Sequence, residues 1–322
     1  MNKPELRDEA FKARLSSFLQ KRANLYLKKV SFLKNSVFAI RDEHGREYIL
    51  KGIRQIASVQ QQLDFQVAYA ASGIVRFVHF PNGELFLYEY GYYWLLMPHR
   101  AGKSLHFADK QDREMAVKAL RNFHSAARGI NVSDPVIRPP LLYKWENRLQ
   151  KFSKTRVLFD NAGKGSLARE IIDRTTALLE QLRKDVDWYA IEKKAVDLHC
   201  WTHGDVASHN FLRTKSGTVE VIDFDLLSLA PESYDWIQIG QRFLSYINYD
   251  VNQLCRNVFP ENEEELKFIL QGVGIPVDLL REWLLFLRKQ PSRQQVSDFM
   301  DDLEDKWEKR VKFVKEVQIV LT

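Results

Sequence analysis

The hydrophobic pattern changes its period between Met97 and Gly102, and this change constrains the fold more than any other feature of the chain. Before it, from about Val30 to Pro98, short β-rich runs predict strands with one intervening helix. After it, apolar residues recur mostly at helical spacing. The sequence therefore predicts an α+β fold with two lobes. Residues 1–98 form a small antiparallel β lobe with a leading helix and one inserted helix, and residues 99–322 form a larger, mainly helical lobe.

Turn and cap signals give the details of the first lobe. The runs Val37 to Ile40 and Tyr48 to Lys51 flank the polar turn Asp42 to Gly45 and predict a β-hairpin. A helix is expected from Ser58, a good N-cap residue, to Ser72, because Gly73 would then end it. Three further strand-like runs predict an antiparallel meander: Ile74 to Phe80, Leu85 to Tyr88 and Tyr93 to Met97.

The second lobe is predicted to be helical around one exception. Helical spacing is clear in Glu114 to Arg128, in Leu167 to Leu182 and from Glu263 to Gln318. Between them, the β-like runs Leu198 to Thr202 and Thr218 to Asp223 are separated by a polar loop. A loop held between two strands is a rigid mount for active-site groups.

Composition restricts the classes of partner. A net charge of +6 favours acidic ligands in general, but most basic residues alternate with acidic ones on helix surfaces. The sequence has no RNP-type aromatic motif, zinc finger or basic arm, so nucleic acid is not expected as a partner.

The N-terminal segment lacks an uninterrupted apolar run, and no stretch approaches the ~20 apolar residues of a membrane span. The two cysteines, Cys200 and Cys255, are far apart and fit a reducing compartment. We therefore expect a cytoplasmic protein without a membrane partner.

The polar loop carries the residue types that phosphoryl transfer requires. That reaction needs a base beside the incoming hydroxyl, metal-held phosphates and positive charge on the nucleotide. Asp205 is the candidate base, and Asn210 offers a neutral oxygen to Mg²⁺ at the far end of the loop. Asp223 follows a strand-like run and offers the carboxylate oxygen that Mg²⁺ prefers. Asp225 could reach the same metal or serve a structural purpose.

The motif His203-Gly204-Asp205 to Asn210, followed by Ile222 to Asp225, resembles the aminoglycoside phosphotransferase and choline kinase superfamily, relatives of protein kinases. The resemblance covers roughly Val30 to Leu244. It implies ATP and Mg²⁺ as cofactors, Lys51 as the ligand of the nucleotide phosphates and Met97 at the nucleotide-binding hinge. It also implies that His203 orients the loop, and that Asp235 hydrogen-bonds the loop backbone.

Two departures from the superfamily pattern stand out. The strand lysine usually pairs with a glutamate on the next helix, and counting back from Gly73 puts Asp64 at that position. Aspartate is one methylene shorter, so a weaker lysine clamp is expected. The segment Ser31 to Ser36, which would cover the phosphates, has no glycine.

Two functions from different classes follow. The first is an ATP- and Mg²⁺-dependent kinase that phosphorylates a hydroxyl of a small molecule, bound by Leu105 to Phe159 and the C-terminal region. Carboxylates there would favour a cationic acceptor, and the candidates are Asp225, Glu232, Asp250 and Glu261.

The alternative is a non-catalytic kinase-like scaffold. The hairpin and the segment around Trp145 and Arg148 look most like the spore-coat-associated kinase-like group of endospore-forming bacteria, which implies spore-coat proteins as partners and the spore coat as a second location. A protein kinase is less favoured, because no Ala-Pro-Glu segment follows Asp225.

Overall fold

A five-stranded antiparallel sheet forms the N-terminal part of the computed structural model, which describes residues 8–258 and 263–321. The predicted hairpin is present, with Val37 opposite Lys51 and Ile40 opposite Tyr48. In chain order the strands are β1 (Leu27–Lys34), β2 (Val37–Asp42), β3 (Glu47–Ile53), β4 (Phe86–Glu89) and β5 (Tyr92–Pro98). They lie side by side in the order β1-β2-β3-β5-β4.

One helix packs against each face of this sheet. Trp94 and Leu95 are neighbours in β5, so their side chains point to opposite faces. Trp94 packs with Phe11 of the first helix, and Leu95 packs with Val59 of the second. These helices are α1 (Glu9–Ala23) and α2 (Ile56–Ala68). The sheet is therefore buried on both sides, as the apolar content of its strands requires.

The bounds predicted for α2 are wrong. The helix begins earlier than expected, at Ile56, and ends at Ala68 rather than Ser72. Beyond it, the Gly73 carbonyl accepts a hydrogen bond from the Val221 N–H at 2.7 Å. Gly73, with a φ of +99°, therefore bonds a distant strand and is not the helix stop.

The first strand of the predicted meander is also absent. Within the segment 74–80, Ile74 forms a single bridge to Val221, and Val78 forms a single bridge to Leu96. The two ends of the segment are thus held by different partners, which prevents a continuous ladder. The other two predicted strands are confirmed as β4 and β5.

The remainder of the described chain is mainly helical, and the predicted α+β class is confirmed. Its helices are α3 (Lys110–Ala127), α4 (Leu141–Ser153), α5 (Arg156–Asn161), α6 (Gly165–Asp185), α7 (Trp188–Asp197), α8 (Ser233–Phe243), α9 (Val251–Val258), α10 (Glu263–Gly274), α11 (Val277–Leu287) and α12 (Arg293–Val320). Its strands are β6 (Gly102–Ser104), β7 (Trp201–Thr202), β8 (Phe211–Thr214), β9 (Val219–Val221) and β10 (Ser228–Leu229). Within residues 8–258 and 263–321, no helix is both long and apolar enough to cross a membrane.

The two β-like runs flanking the polar loop belong to different sheets. β7 pairs with β10, whereas β9 pairs with β8 in the order β6-β8-β9. The loop 203–210 therefore connects β7 to β8, a strand that the sequence did not reveal. Beneath it, the aromatic rings of Phe65, Phe123 and Phe224 pack together in the largest core cluster. Through this packing, α2 contacts the core residues that lie beneath the loop.

Candidate functional site

A buried carboxylate fixes the start of the polar loop. Asp235, in the first turn of α8, is fully buried. Its Oδ2 accepts hydrogen bonds from the His203 N–H at 2.7 Å and from Nε2 of His124 at 3.0 Å. Its Oδ1 accepts one from the Gly204 N–H at 2.9 Å. The contact expected between Asp235 and the loop backbone is formed, and His124 belongs to the same network.

Gly204 is required by the path of the loop. Its φ is +77°, which lies in the left-handed region, and a Cβ atom there would lie 2.6 Å from the carbonyl oxygen of Leu226. Any side chain would therefore cause both backbone strain and a collision with backbone. The close approach of the loop to the segment after Asp223 therefore requires glycine at position 204.

Asp205 lies at the turn of the loop and is held from two sides. Its Oδ1 accepts a hydrogen bond from the guanidinium of Arg242 at 2.6 Å, and Nδ2 of Asn210 lies 3.3 Å from its Oδ2. The short contact commits Oδ1 to Arg242. Oδ2 has only the long contact, so it is the oxygen that can accept a proton from a substrate hydroxyl.

Asn210 has an unused acceptor that faces the same region. Its Nδ2 donates to the backbone carbonyl of Asp205 at 2.8 Å, which fixes the amide orientation. Its Oδ1 is buried and has no hydrogen-bond partner. The Ile222 N–H donates to the Asn210 carbonyl at 2.9 Å, which brings Asp223 next to this amide. An unpaired buried oxygen is costly, so its presence indicates a ligand site.

Two lysines neutralise Asp223. Its Oδ1 lies 2.7 Å from Nζ of Lys51, and its Oδ2 lies 3.2 Å from Nζ of Lys34. Burial alone would raise the pKa of Asp223, but Lys51 and then Lys34 more than offset this, so the pKa lies well below its ordinary value. Lys51 also contacts Asp225 at 2.8 Å. Burial would lower the pKa of Lys51, but Asp223 and Asp225 raise it above its ordinary value.

The donor set fits Mg²⁺. Among the described residues there is no group of three or more His, Cys, Asp or Glu side chains that could hold a metal by themselves. Mg²⁺ is commonly bound by one or two carboxylates together with substrate phosphates. Asp223 supplies a carboxylate and Asn210 the free Oδ1, while Asp225 is bound to Lys51 and half exposed.

The expected pair between Lys51 and Asp64 is not formed. Asp64 accepts a hydrogen bond from Gln60 at 2.8 Å on the exposed side of α2. The prediction counted back from a helix end at Gly73, and the true end lies several residues earlier. Instead, α2 turns Gln61 toward the site, where its side chain donates to the Leu227 carbonyl at 2.9 Å and accepts from the Val136 N–H at 2.6 Å.

Met97 lies on the same face of the sheet as the lysine. Lys51 is opposite Leu95, and Ile49, two residues earlier in β3, is opposite Met97. Residues two apart in a strand share a face. Met97 is half-buried and is the penultimate residue of β5, which ends at Pro98. The hinge role of Met97 stays a prediction.

Sequence reasoning missed Arg242 and Lys34. Arg242 stands seven residues after Asp235 in α8, two turns along the same helix face, and this spacing could have identified it. Lys34 is opposite Val37, which is opposite Lys51, so one cross-strand row brings both lysines together. The glycine-free segment Ser31 to Ser36, which contains Lys34, ends in a two-residue turn, in which Asn35 has a φ of +47°.

The chain is similar to known proteins in sequence and in fold. Residues 31–245 match the model of the phosphotransferase enzyme family. No curated protein matches the chain. Among solved structures, an aminoglycoside phosphotransferase from Alicyclobacillus acidocaldarius is 17% identical, with a TM-score of 0.69 and 92% of each chain covered.

Two further structures share the fold. A spectinomycin phosphotransferase in complex with ADP and spectinomycin is 15% identical, with a TM-score of 0.60, 94% of this chain covered and 93% of that one. The choline kinase LicA from Streptococcus pneumoniae is 13% identical, with a TM-score of 0.50, 96% of this chain covered and 100% of that one.

Proposed function

Because the chain belongs to the phosphotransferase enzyme family, we propose that it is a kinase that transfers the γ-phosphoryl group of ATP to a hydroxyl of a small molecule. The observation that carries this proposal is the unpartnered Oδ1 of Asn210 beside Asp223, on the same loop that presents Asp205. A site for phosphate-bound metal and a base for the acceptor then lie at the two ends of one short loop.

Asp205 acts as the base in this proposal. The acceptor hydroxyl donates a hydrogen bond to Oδ2, while Arg242 holds Oδ1 and fixes the plane of the carboxylate. As the acceptor oxygen bonds to the γ-phosphorus and the bond to the β-phosphate breaks, the hydroxyl proton passes to Asp205. A nucleoside diphosphate leaves.

The two lysines and the two metal ligands would bind the phosphates of the nucleotide and its Mg²⁺. Mg²⁺, bound to Asp223 and Asn210, would neutralise the phosphate charge that develops as the bond breaks. Lys51 and Lys34 already lie against Asp223, and nucleotide phosphates between the lobes would take over part of their contact. Met97 would line the base pocket at the hinge between residues 1–98 and 99–322.

The relatives support a nucleotide and a small acceptor. One was crystallised with ADP and spectinomycin, and an aminoglycoside 2'-phosphotransferase was crystallised with GDP. We propose ATP and Mg²⁺ as the cofactors of this chain. The likeness to the spore-coat-associated group, and with it a scaffold role, stays a prediction, as does a cytoplasmic or spore-coat location.

Nucleotide and metal binding test the proposal. Purified protein should melt at a higher temperature in millimolar Mg-ATP, because a ligand of the folded state stabilises it by mass action. Asp223→Ala should remove the metal-dependent part of the affinity, measured by calorimetry with and without Mg²⁺. Asn210→Ala should weaken it less, since a neutral oxygen binds a hard cation less strongly than a carboxylate does.

Asp197→Ala is the matched control. Asp197 is an exposed carboxylate that pairs with Lys193 in α7, so its loss should leave Mg-ATP affinity unchanged. An absent melting shift in the wild-type protein, or equal affinity in all variants, would contradict the proposed nucleotide site.

A further inference from the structure

A cavity opens beside Asp205. Its volume is about 600 Å³, within the ordinary range for small-molecule sites. Its walls are the segment 135–141, α4, α8 and α11, and Asp205 and Gly204 line it. Lys51, Asp223 and Asn210 are not among its lining residues. Asp205 therefore stands between this cavity and the proposed metal site.

Each carboxylate that lines the cavity has at least one oxygen bound by another group of the protein. Asp205 is paired with Arg242 at 2.6 Å, and Asp235 holds the loop backbone. Glu192 accepts a hydrogen bond from the Tyr234 hydroxyl at 2.6 Å. Oδ2 of Asp278 is bound by Arg310, which lies outside the cavity, at 2.7 Å; its Oδ1 is buried and unpartnered.

Two arginines of the lining have no such partner. Arg281 forms no hydrogen bond and no ion pair with any described residue, and its Nε is buried. Arg148 donates to the Val277 carbonyl at 3.0 Å and pairs with no carboxylate in the described chain. Burial and then the charge of Arg281 lower the pKa of Arg148 to about 10, against a smaller opposing effect of Asp278. Burial and then Arg281 also lower the pKa of Arg242, against Asp205 and Asp278, so Arg281 is a neighbour of both arginines.

Such an arrangement favours the binding of an anion. Asp278 offsets part of the repulsion between the guanidinium groups, and a negative ligand in this partly desolvated cavity would offset more of it. The planar guanidinium fork matches the oxygens of a carboxylate or a phosphate in a bidentate way. Arg138 and Lys144 add positive charge to the same lining, and Arg138 is bound only to backbone carbonyls.

We propose that the acceptor is an anionic alcohol whose carboxylate or phosphate group binds Arg281 and Arg148, while its hydroxyl faces Asp205. This inference rests on the proposed kinase function for the identity of the reacting group. The carboxylates suggested by the sequence for a cationic acceptor do not line the cavity: Asp225 binds Lys51, Glu232 binds Arg128 and Asp250 binds Gln253. Glu261 lies outside the described residues.

Matched probes test the charge preference. The first set is glucose, glucose 6-phosphate, glucuronate and glucosamine, and the second is glycerol, glycerol 3-phosphate, glycerate and choline. Binding is measured by calorimetry in the presence of Mg²⁺ and a non-hydrolysable ATP analogue. In at least one set, the phosphate or the carboxylate member should bind about 10–100-fold more tightly than the neutral member, as charge-assisted hydrogen bonds imply. Comparison of those two members distinguishes the source of the anion.

The variant Arg281→Gln should abolish this preference and leave affinity for the nucleotide analogue unchanged. Arg281→Lys should restore part of it, because the charge remains while the fork is lost. Arg288→Gln, an exposed position at the C-terminal end of the same helix, should behave as wild type. Since Arg281 bonds no described residue and repels Arg148 and Arg242, its replacement should leave the melting temperature of the ligand-free protein unchanged or raise it.

The outcomes separate this inference from the kinase function. Neutral or cationic members that bind as well as the anionic ones in both sets would overturn the inference. If the protein transfers phosphate to alcohols of these sets, and Arg281→Gln leaves the transfer rates unchanged or lowers them equally for all members, the inference is also overturned. The kinase function would then stand. Arg281-dependent binding of an anionic alcohol without any phosphate transfer would instead overturn the kinase function.

Discussion

Asp235→Asn should destabilise the protein and slow phosphoryl transfer much more than it weakens nucleotide binding. The carboxylate is fully buried and accepts three hydrogen bonds, from His203, Gly204 and His124. Hydrogen bonds to a charged group contribute about 1.5–3 kcal/mol each. Asparagine keeps one acceptor oxygen, but its amide group presents hydrogens to a backbone N–H, so at least one of the three bonds is lost.

The net cost is smaller than the sum of these terms. A neutral amide is less costly to bury than a carboxylate, which offsets part of the loss. We expect the free energy of unfolding to fall by about 2–4 kcal/mol, and the melting temperature by roughly 4–8 °C. The loop also loses its fixed position, and a displacement of about 1 Å can cost roughly 100-fold in rate. Lys51 and Asp223, the proposed ligands of Mg-ATP, form no hydrogen bond or ion pair with Asp235, so nucleotide affinity should change little.

Urea unfolding, kcat and Mg-ATP affinity should be measured together, with Asp42→Asn as the control. Asp42 is also buried and accepts hydrogen bonds from the N–H and the guanidinium of Arg46, but it is the last residue of β2. Its replacement should cost comparable stability and leave kcat of the folded protein unchanged. The reasoning fails if Asp235→Asn is as stable as wild type, or if the two variants affect kcat equally.

Three further predictions follow from the geometry. Gly204→Ala should lower stability by more than about 2 kcal/mol, because it adds strain and a collision with Leu226; an unchanged thermal melt would contradict the required loop path. Since the pKa of Asp223 is lowered in the folded state, its pairing stabilises the protein fully above about pH 5 and less as the pH falls, so wild type should lose more stability than Asp223→Asn between about pH 5 and pH 3. Parallel curves in urea unfolding would refute this. Lys51→Met should weaken Mg-ATP binding more than Lys34→Met, because Lys51 is buried and Lys34 is half exposed; calorimetry that ranks them the other way would contradict the assignment.

The parts of the site that sequence reasoning brought together lie close in the chain or follow from strand pairing. Asp205 and Asn210 belong to one loop, and a hydrogen bond from Ile222 to Asn210 joins Asp223 to it. Lys51 could be located because the hairpin pattern placed it in a strand. Local spacing is sufficient for these groups, since each depends on a short segment with a clear pattern.

The misplaced residue depends on a distant contact. The prediction for Asp64 depends on a helix end at Gly73, but α2 ends at Ala68, and Gly73 instead bonds Val221, far along the chain. No local signal reports such a contact. The same holds for the unpredicted strand β8, whose four residues form a ladder only because β6 and β9 lie on either side of it.

The arginines around Asp205, the proposed base, were harder to predict than Asp205 itself. Arg242 follows Asp235 at helical spacing, which gives a usable signal once the role of Asp235 is accepted. Arg281 and Arg148 come from α11 and α4, and only the packing of these helices brings them to one cavity. From the sequence alone, charged residues in these helices are typical of an exposed helix surface.

Phosphate transfer by Asp205→Asn tests the central claim most directly. Wild type and variant should be assayed with Mg-ATP labelled at the γ-phosphate and the two sets of alcohols described above. Wild type should phosphorylate an alcohol, and the variant should be slower by about 10²–10⁴-fold, because it lacks the proton acceptor, with Mg-ATP affinity nearly unchanged. Transfer by Asp205→Asn at the wild-type rate, or nucleotide binding by wild type without transfer to any of these alcohols, would contradict the account.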